Sequence, residues 1–324
     1  MSDIDLANTR SILILHAGAL GDFILMLNLI TALRERLPQT AIDVAARCGL
    51  SRWAVAHGAF RRALSFESLG LHGLYSEGQP PAGLVATLQT YELVVSFLSG
   101  PDEPPAQRLS ALPRGKCLSV DPRPHDRTLR ERRHITEQWR TDLAKEGLSL
   151  APAHTSGLTV GHDERCGARE LLSARAGQPL VIVHPGSGGR DKCCPLLVLE
   201  RVVEDLRLRG ADPVWMLGPA EVERGGAPLQ GRLASSARVI FEPDLPRAAR
   251  VIAGADAYIG NDAGPTHLAA MLGVPTLALF GPTDPHVWRP LGQQVAIKRF
   301  NPRNEEMPAR IRVAARALLN SDSG

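Results

Sequence analysis

The chain has 324 residues, of which 44% are hydrophobic and 22% are charged, and such fractions are typical of soluble globular proteins. The formal net charge of +3 is too small to indicate a nucleic-acid partner, and no apolar stretch approaches the ~20 residues of a membrane-spanning helix. The length suits two domains of ordinary size, each with its own core.

The first residues and the cysteines indicate a reduced, cytoplasmic protein. The opening Met-Ser-Asp-Ile-Asp has no basic region and no long apolar run behind it, so we expect no signal peptide. The five cysteines are an odd number and lack the spacing of metal ligands. The adjacent pair Cys193 and Cys194 is therefore interpreted as part of a loop rather than as a zinc or redox site.

The N-terminal half begins with an alternation of strand and helix. Residues 11–15 form a short apolar strand, and apolar residues at helical spacing predict a helix from about Phe23 to Arg36. Further predicted elements are strands at residues 42–46, 93–97 and 116–120 and a helix at about 135–146.

The C-terminal half repeats this plan. A strand at residues 180–183 is followed by a glycine-rich loop at 185–192 and by a helix that begins near Pro195 and stops at Gly210. Further strands are expected at residues 213–217, 255–259 and 276–280. Strands that alternate with helices in this way predict an α/β fold with parallel, doubly wound sheets.

The composition changes between residues 151 and 176, where we expect the domain linker. The predicted organisation is a first, acceptor-binding Rossmann-like domain at residues 1–165 and a second, nucleotide-sugar-binding one at 166–302. A final helix at about 305–320, within a segment 303–324, is expected to cross back and pack on the first domain.

The stretch from Tyr258 to His267 carries the strongest signal in the chain. Gly264 can serve as the N-cap of a helix, and Pro265 suits the first helical position. The amides of Thr266, His267 and Leu268 would then be unpaired at a helix N-terminus, which favours an anion such as a diphosphate. A well-capped helix without a ligand is the open alternative.

Two stretches, Asn-Asp-Ala-Gly-Pro-Thr-His-Leu-Ala-Ala from Asn261 and Leu-Phe-Gly-Pro-Thr-Asp-Pro from Leu279, resemble the signature of the ADP-heptose:lipopolysaccharide heptosyltransferases. This resemblance implies two facing Rossmann-like domains of the GT-B type and inverting transfer of a sugar. It also implies a nucleotide-sugar donor and a glycolipid or oligosaccharide acceptor, with a peripheral position at the inner membrane face left open.

Asp22 follows the first predicted strand, at the edge where ligands bind in open α/β sheets. It suits either the N-cap of the first helix or the general base that glycosyl transfer to a hydroxyl needs. The segment from Gly18 to Asp22 is similar to the first loop of the heptosyltransferases, in which the aspartate is taken as the base. The resemblance therefore favours the catalytic role.

Lys192 closes a loop that matches neither a phosphate-binding P-loop nor a dinucleotide-binding glycine motif. A cation at this place can neutralise a departing diphosphate, although an exposed loop lysine is the plain alternative. The run His-Pro-Gly-Ser, which contains Gly186 and Ser187, followed by Asp-Lys resembles the donor loop of the family. The family usually has Arg-Trp-Pro after the lysine, where this chain has Cys-Cys-Pro.

Three further residues complete the predicted donor site. Glu221, or its neighbour Glu223, can accept the ribose hydroxyls of a nucleotide, although a surface glutamate in a loop is the plain alternative. In the family a glutamate in the matching turn contacts the nucleoside. Asp262 would hold loop amides or orient the sugar, and His267 would contact the ligand or pack under the helix. The turn at residues 283–284 is expected to have no further role.

The acceptor site and the cofactors are less visible in the sequence. The chain has no Asp-x-Asp motif of the kind that carries a divalent metal in other glycosyltransferases, so we expect no metal or other cofactor. A basic run is interpreted as a solvated face or as an acceptor site; it comprises Arg123, His125, Arg127, Arg130, Arg132, Arg133 and His134, with Arg52, Arg61 and Arg62 as further contributors.

The sequence thus predicts an inverting glycosyltransferase that moves a heptose from ADP to a hydroxyl of a lipopolysaccharide-type core. Two alternatives remain open within the enzymes, a glycosyltransferase with another donor or acceptor and a nucleotide-sugar epimerase. The alternative from another class is a nucleotide-binding protein without transfer activity. A dehydrogenase is disfavoured, because neither half opens with the glycine motif of dinucleotide-binding domains.

Overall fold

The computed structural model describes residues 9–152, 158, 160–242, 244–301 and 304–319. The chain divides into two compact units, Met1–Leu158 and Thr159–Gly324, and each contains one sheet whose strands are all paired in parallel. This confirms the predicted α/β fold with two parallel sheets. Among the described residues, no helix is both long enough and apolar enough to cross a membrane.

The first unit contains a five-stranded sheet in the order β3-β2-β1-β4-β5. Its strands are β1 (Ser11–His16), β2 (Ala41–Ala46), β3 (Arg62–Ser65), β4 (Leu93–Phe97) and β5 (Lys116–Ser119). Its α-helices are α1 (Leu20–Arg36), α2 (Ser51–Ala56), α3 (Ala82–Leu88), α4 (Pro104–Ser110), α5 (Asp126–Glu131) and α6 (Ile135–Lys145). The strand order reverses between β1 and β4, so ligands are expected at the carboxyl ends of those strands.

The second unit contains a six-stranded sheet in the order β11-β10-β9-β6-β7-β8. Its strands are β6 (Leu180–His184), β7 (Asp212–Leu217), β8 (Arg238–Phe241), β9 (Ala257–Asn261), β10 (Thr276–Phe280) and β11 (Val295–Arg299). Its α-helices are α7 (His162–Leu171), α8 (Leu196–Leu208), α9 (Pro219–Ala234), α10 (Leu245–Ala253), α11 (Gly264–Met271), α12 (Pro285–Trp288) and α13 (Met307–Leu319). The order of this sheet reverses between β6 and β9.

The central strands were predicted because they are apolar throughout, whereas three edge strands were missed. Every residue of β4, β6 and β10 is buried, as expected for parallel strands covered on both faces. The missed strands β3, β8 and β11 have no fully buried residue. An edge strand covered on one side lacks the continuous apolar run on which the prediction relied.

The boundary between the units differs from the expected one at residue 165, because a helix forms inside the expected linker. Helix α7 packs on α10 of the second unit, and Arg169 Nη1 lies 2.7 Å from Asp256 Oδ2 at the start of β9. These contacts place α7 in the second unit, so the division falls at residues 158 and 159.

The last helix, α13, belongs to the second unit and packs on α8. The expectation that the segment 303–324 also packs on the first domain stays a prediction. Ile311, Ala315 and Leu318 of α13 lie in the same buried cluster as Leu199 and Val203 of α8. Residues 303 and 320–324 of the expected segment lie outside the described residues.

Candidate functional site

The candidate donor site lies at the carboxyl ends of β6 and β9, where the order of the second sheet reverses. Asn261, the last residue of β9, is fully buried, and its side chain forms hydrogen bonds with the loop that follows β6. Its Oδ1 accepts a hydrogen bond from Cys194 N (2.9 Å), and its Nδ2 donates to Pro185 O (2.8 Å) and Gly186 O (3.2 Å). The glycine-rich loop after β6 is therefore fixed against β9. Sequence reasoning did not assign Asn261 to the site, although a polar residue ending an apolar strand was a visible signal.

Lys192 and Asp262 meet at this edge of the second sheet. Lys192 ends a short 3₁₀ turn, Arg190–Lys192, and its Nζ lies 3.2 Å from Asp262 Oδ2. The same Oδ2 accepts a hydrogen bond from Thr283 Oγ1 (2.7 Å) in the loop after β10. Thr283 was expected to have no role beyond its turn, and that expectation was wrong. Its neighbour Asp284 caps α12 by accepting from His286 N.

The carboxylate of Asp262 is buried and held in its charged form. Burial by itself would raise its pKa, but the neighbouring His267, Thr283 and Lys192 together lower the pKa below its usual value. His267 Nε2 lies 3.8 Å from Asp262 Oδ1, which is longer than a hydrogen bond. The described partners of Asp262 are thus side chains rather than the loop amides that we had considered. The Lys192 side chain is 36% exposed, so its ammonium remains accessible to an anion.

The start of α11 differs in detail from the sequence prediction. Ala263, rather than Gly264, is the N-cap, so Pro265 lies at the second helical position. The amides of Thr266 and His267 both donate to Ala263 O, at 3.0 and 3.3 Å, so the prediction that they are unpaired was wrong. The helix begins one residue earlier because proline is as well accommodated at the second position as at the first, having no N–H to satisfy.

Two side chains of α11 stabilise this turn from within. Thr266 is fully buried, and its Oγ1 donates to Asn261 O at 2.6 Å. His267 is also buried, and its Nδ1 has no partner among the described residues. His267 therefore occupies a buried packing position, which is one of the two alternatives considered for it. The N-terminus of α11 follows Asp262, which Lys192 contacts, within two residues along the chain, and the positive end of a helix dipole favours an anion.

Glu221 is buried at the start of α9 and is not the surface residue that a loop position suggested. Its carboxylate accepts from Gly218 N (2.9 Å), and its Oε2 lies 3.4 Å from His184 Nε2 at the end of β6. A Cβ on Gly186 would lie 1.8 Å from Glu221 Oε1, so this close approach requires a glycine. Burial by itself would raise the pKa of Glu221, but the contact with His184 and the backbone donors lower it. The alternative residue, Glu223, is exposed.

The rest of the donor loop is held by hydrogen bonds of its own. Ser187 is buried and its Oγ donates to Asp262 O at 2.7 Å, while Ser187 O accepts from Arg224 Nη2 at 2.8 Å. Cys194 is buried in the core of the second unit, and burial raises its thiol pKa to about 12. All five cysteines carry free thiols. The structure thus brings together Gly186, Ser187, Lys192, Glu221 and Asp262 with the first turn of α11.

Asp22 lies in the first turn of α1, at the carboxyl end of β1. It is not the N-cap, since the helix begins at Leu20 and Ala19 is the N-cap. Asp22 occupies the third helical position, and its Oδ2 accepts a hydrogen bond from Ala19 N at 3.2 Å. This is the reciprocal half of a capping box. The side chain is partly buried, so it combines a capping role with partial access to solvent.

Three arginines of the basic run proposed as an acceptor surface form ion pairs with nearby carboxylates. Arg123 contacts Asp121 (2.9 Å) and Glu103 (2.7 Å), and Glu131 accepts from Arg127 and Arg133 at 2.8 and 2.6 Å. His134 is buried as the N-cap of α6.

Arg61 and Arg62 have a structural partner. Both contact the fully buried Asp43, at 2.6 and 2.7 Å, and Tyr91 OH donates to the same carboxylate at 2.7 Å. Burial by itself would raise the pKa of Asp43, but these partners lower it. A buried carboxylate needs such compensation, so the two arginines stabilise the first sheet rather than being free for an acceptor.

Among the described residues, no cluster of three or more histidine, cysteine, aspartate or glutamate side chains is arranged to hold a metal ion. One Asp-x-Asp spacing does occur, Asp3-Ile4-Asp5, but it precedes β1 and lies outside the described residues. The groups available to an anion in this site are the ammonium of Lys192 and the N-terminus of α11. These groups suit a diphosphate.

Comparison with protein-family models gives a match over residues 116–314, to glycosyltransferase family 9 (heptosyltransferase). The chain belongs to glycosyltransferase family 9. The matched region contains Lys192, Glu221 and Asp262, together with the whole of α11. The sequence resemblance is thereby confirmed at the level of the family.

Curated members of the family are similar to this chain at moderate identity. Lipopolysaccharide heptosyltransferase 3 of Escherichia coli K12 is 29% identical over 190 residues, which cover 55% of this chain and 52% of that protein. A second E. coli heptosyltransferase 3 is 30% identical, and the match covers 42% of its length. The chain thus spans about half the length of these relatives. Lipopolysaccharide heptosyltransferase 2 of Salmonella typhimurium LT2 is 25% identical over 310 residues, covering 89% of this chain and 88% of that protein.

Solved structures of the family share the fold. The structure of E. coli ADP-heptose lps heptosyltransferase II superimposes with a TM-score of 0.73 at 20% identity, covering 97% of this chain and 100% of that one. E. coli heptosyltransferase WaaC with ADP gives a TM-score of 0.68 at 18% identity, covering 95% and 100%. These likenesses support the two α/β units described above.

Proposed function

We propose that this member of glycosyltransferase family 9 transfers a heptose from ADP-heptose to a hydroxyl of a lipopolysaccharide core-type acceptor, with inversion at the anomeric carbon. The observation that carries the proposal is the cluster of Lys192, Asp262 and Thr283 beside the first turn of α11. It offers a fixed but accessible cation where a diphosphate would lie. The relatives named heptosyltransferases and the neighbour solved with ADP support this donor class.

In the proposed reaction Asp22 acts as the general base. Its carboxylate would accept the proton of the acceptor hydroxyl as the hydroxyl oxygen attacks the anomeric carbon. The bond between that carbon and the diphosphate oxygen breaks, and ADP leaves with the bonding electrons. Lys192 and the N-terminus of α11 would stabilise the negative charge that develops on the leaving diphosphate.

The remaining site residues would bind the donor rather than take part in bond breaking. Glu221 would accept ribose hydroxyls, and the contact with His184 supports a charged, oriented carboxylate. Asp262 and Thr283 would hold Lys192 in position before the donor binds. Ser187, fixed to Asp262 O, would line the path of the diphosphate. Since lipopolysaccharide cores are built on glycolipids, we also propose that the protein works at the cytoplasmic face of the inner membrane.

The test is donor binding and transfer by the full chain. Calorimetry with ADP and with other nucleoside diphosphates should show binding that is strongest for ADP, and ADP-heptose with a core oligosaccharide should give a heptosylated product. Turnover should survive EDTA, because the proposed leaving-group stabilisation comes from Lys192 and a helix rather than from a metal.

Three results would change this proposal. Activity that EDTA abolishes and magnesium or manganese restores would contradict metal-independent transfer. Binding of ADP without transfer to any acceptor would favour a nucleotide-binding protein, and no binding of any nucleoside diphosphate would refute the donor site.

A further inference from the structure

A cavity of about 760 Å³ lies beside the donor loop, within the second unit. It opens at the carboxyl ends of β10 and β11, over the first turns of α13. Its volume is in the range of ~300–1,000 Å³ that small-molecule sites have. Arg190 and Asp191 form part of its wall, whereas the next residue, Lys192, turns toward Asp262. The cavity therefore lies on the other side of the turn that carries the donor-site lysine.

The charge on the wall of the cavity is strongly positive. Its charged side chains are those of Arg190, Asp191, Lys298, Arg299 and Arg310. Arg310 has its counterion outside the wall, in Glu306 at 2.6 Å, and Arg299 Nη2 donates to Gly281 O at 3.0 Å. Within the part of the chain that the structure describes, neither Arg190 nor Lys298 has an ion-pair partner. Two cations without ion-pair partners, on a wall where cations outnumber the one carboxylate of Asp191, favour an anionic occupant.

The floor of the cavity is apolar and closely packed. Phe300, Met307 and Ile311 contribute to it and are buried. A Cβ on Gly281 would lie 2.6 Å from Phe300 Cζ and 3.1 Å from Asp191 O. Only a glycine allows the end of β10 to approach both the aromatic ring and the Arg190–Lys192 turn. An apolar floor under a cationic rim suits a sugar ring that carries an anionic substituent.

We propose that this cavity binds an anionic group, a phosphate or a carboxylate, on the sugar acceptor. The proposal rests on the proposed function, since it concerns the second substrate of the same reaction. The donor diphosphate is assigned to Lys192 and α11, so a second set of cations is available to another ligand. The basic run of the first unit is a weaker choice, because Arg123, Arg127 and Arg133 are already paired with carboxylates.

The experiment compares Arg190→Gln and Lys298→Gln with Arg201→Gln in the full chain. Arg201 is an exposed arginine on α8 that does not line the cavity. With a deacylated lipopolysaccharide core oligosaccharide as acceptor, each cavity variant should raise the acceptor KM roughly tenfold, the effect of losing one charged hydrogen bond. The control should leave KM unchanged, and ADP affinity should change by less than about twofold in all three. Equal melting temperatures show that the variants are folded.

The same comparison with phosphatase-treated acceptor identifies the anionic group. If the group is a phosphate, the treated acceptor no longer distinguishes the cavity variants from wild type; if it is a carboxylate, the tenfold difference remains. An unchanged acceptor KM in both variants overturns the proposal, as does a parallel loss of ADP affinity, which would assign the cavity to the donor. Failure of the wild type to transfer any sugar refutes the proposed function itself, and this proposal with it.

Discussion

The substitution Asp22→Asn separates the catalytic role of Asp22 from its role at the helix start. Asp22 Oδ2 accepts a hydrogen bond of 3.2 Å from Ala19 N, and an asparagine Oδ1 can accept the same bond. The loss of a negative charge in the first helical turn costs about 0.3–1 kcal/mol of unfolding free energy. A general base contributes about 10²–10⁴-fold to the rate, which corresponds to about 3–5 kcal/mol of activation free energy. The effect on kcat should therefore greatly exceed the effect on stability.

A matched control is available on α6 of the same unit. Glu137 occupies the third position after the N-cap His134, as Asp22 does after Ala19, and it is exposed. Glu137→Gln removes the same charge from an equivalent place, so both variants should show a similar small change in melting temperature. Only Asp22→Asn should lower kcat, with ADP affinity nearly unchanged.

The measurements needed are melting temperature, ADP affinity and transfer rate on wild type and both variants. A folded Asp22→Asn protein with near-wild-type turnover would refute the assignment of Asp22 as the base. An equal loss of activity in Glu137→Gln would show that the effect is structural.

Two further predictions concern charged groups. Lys192→Gln should weaken ADP binding roughly tenfold or more in calorimetry, because it removes the cation beside Asp262. The control is Lys145→Gln, which breaks the exposed ion pair with Asp142. Equal ADP affinity in the two variants would contradict the donor site. Burial lowers the pKa of His16 from 6.5 to about 4, so the native state keeps this ring neutral while the unfolded chain protonates below 6.5. His16 should therefore contribute stability above pH 6.5 that is lost as the pH falls to 4, about 3 kcal/mol in urea unfolding. His16→Gln should remove this part of the pH dependence and the exposed His72→Gln should not; a slope that persists in His16→Gln would contradict the explanation.

The sequence predicted that the proposed donor-site residues gather at one sheet edge, because they follow apolar strands. Gly186, Lys192, Glu221 and Asp262 each come after a strand end, and the carboxyl ends of parallel strands meet at one edge. The details of the helix start were not predictable in the same way. Whether Gly264 or Ala263 is the N-cap depends on backbone angles that both residues tolerate. The amide partners at Ala263 O followed from that choice.

The role of a charged side chain was predicted least well, because it depends on partners distant in sequence. From the sequence, Arg61 and Arg62 were interpreted as part of a basic surface. The fold instead brings them into contact with the buried Asp43. From the sequence, Thr283 was interpreted as a turn residue. In the structure it follows β10 and lies beside Asp262. In each case the contact joins residues that lie in or next to different strands, and strand order is a property of the whole sheet.

By itself, the sequence determined the alternation of strands and helices, the parallel sheets and the family, because apolar periodicity and an uninterrupted motif are local properties of the chain. Tertiary structure alone decided which side chains share a site. It placed α13 on α8, it paired Lys192 with Asp262 and Thr283, and it left the cations of Arg190 and Lys298 together around one cavity. The physical reason is that burial and charge pairing depend on distances through space, which spacing along the chain does not specify.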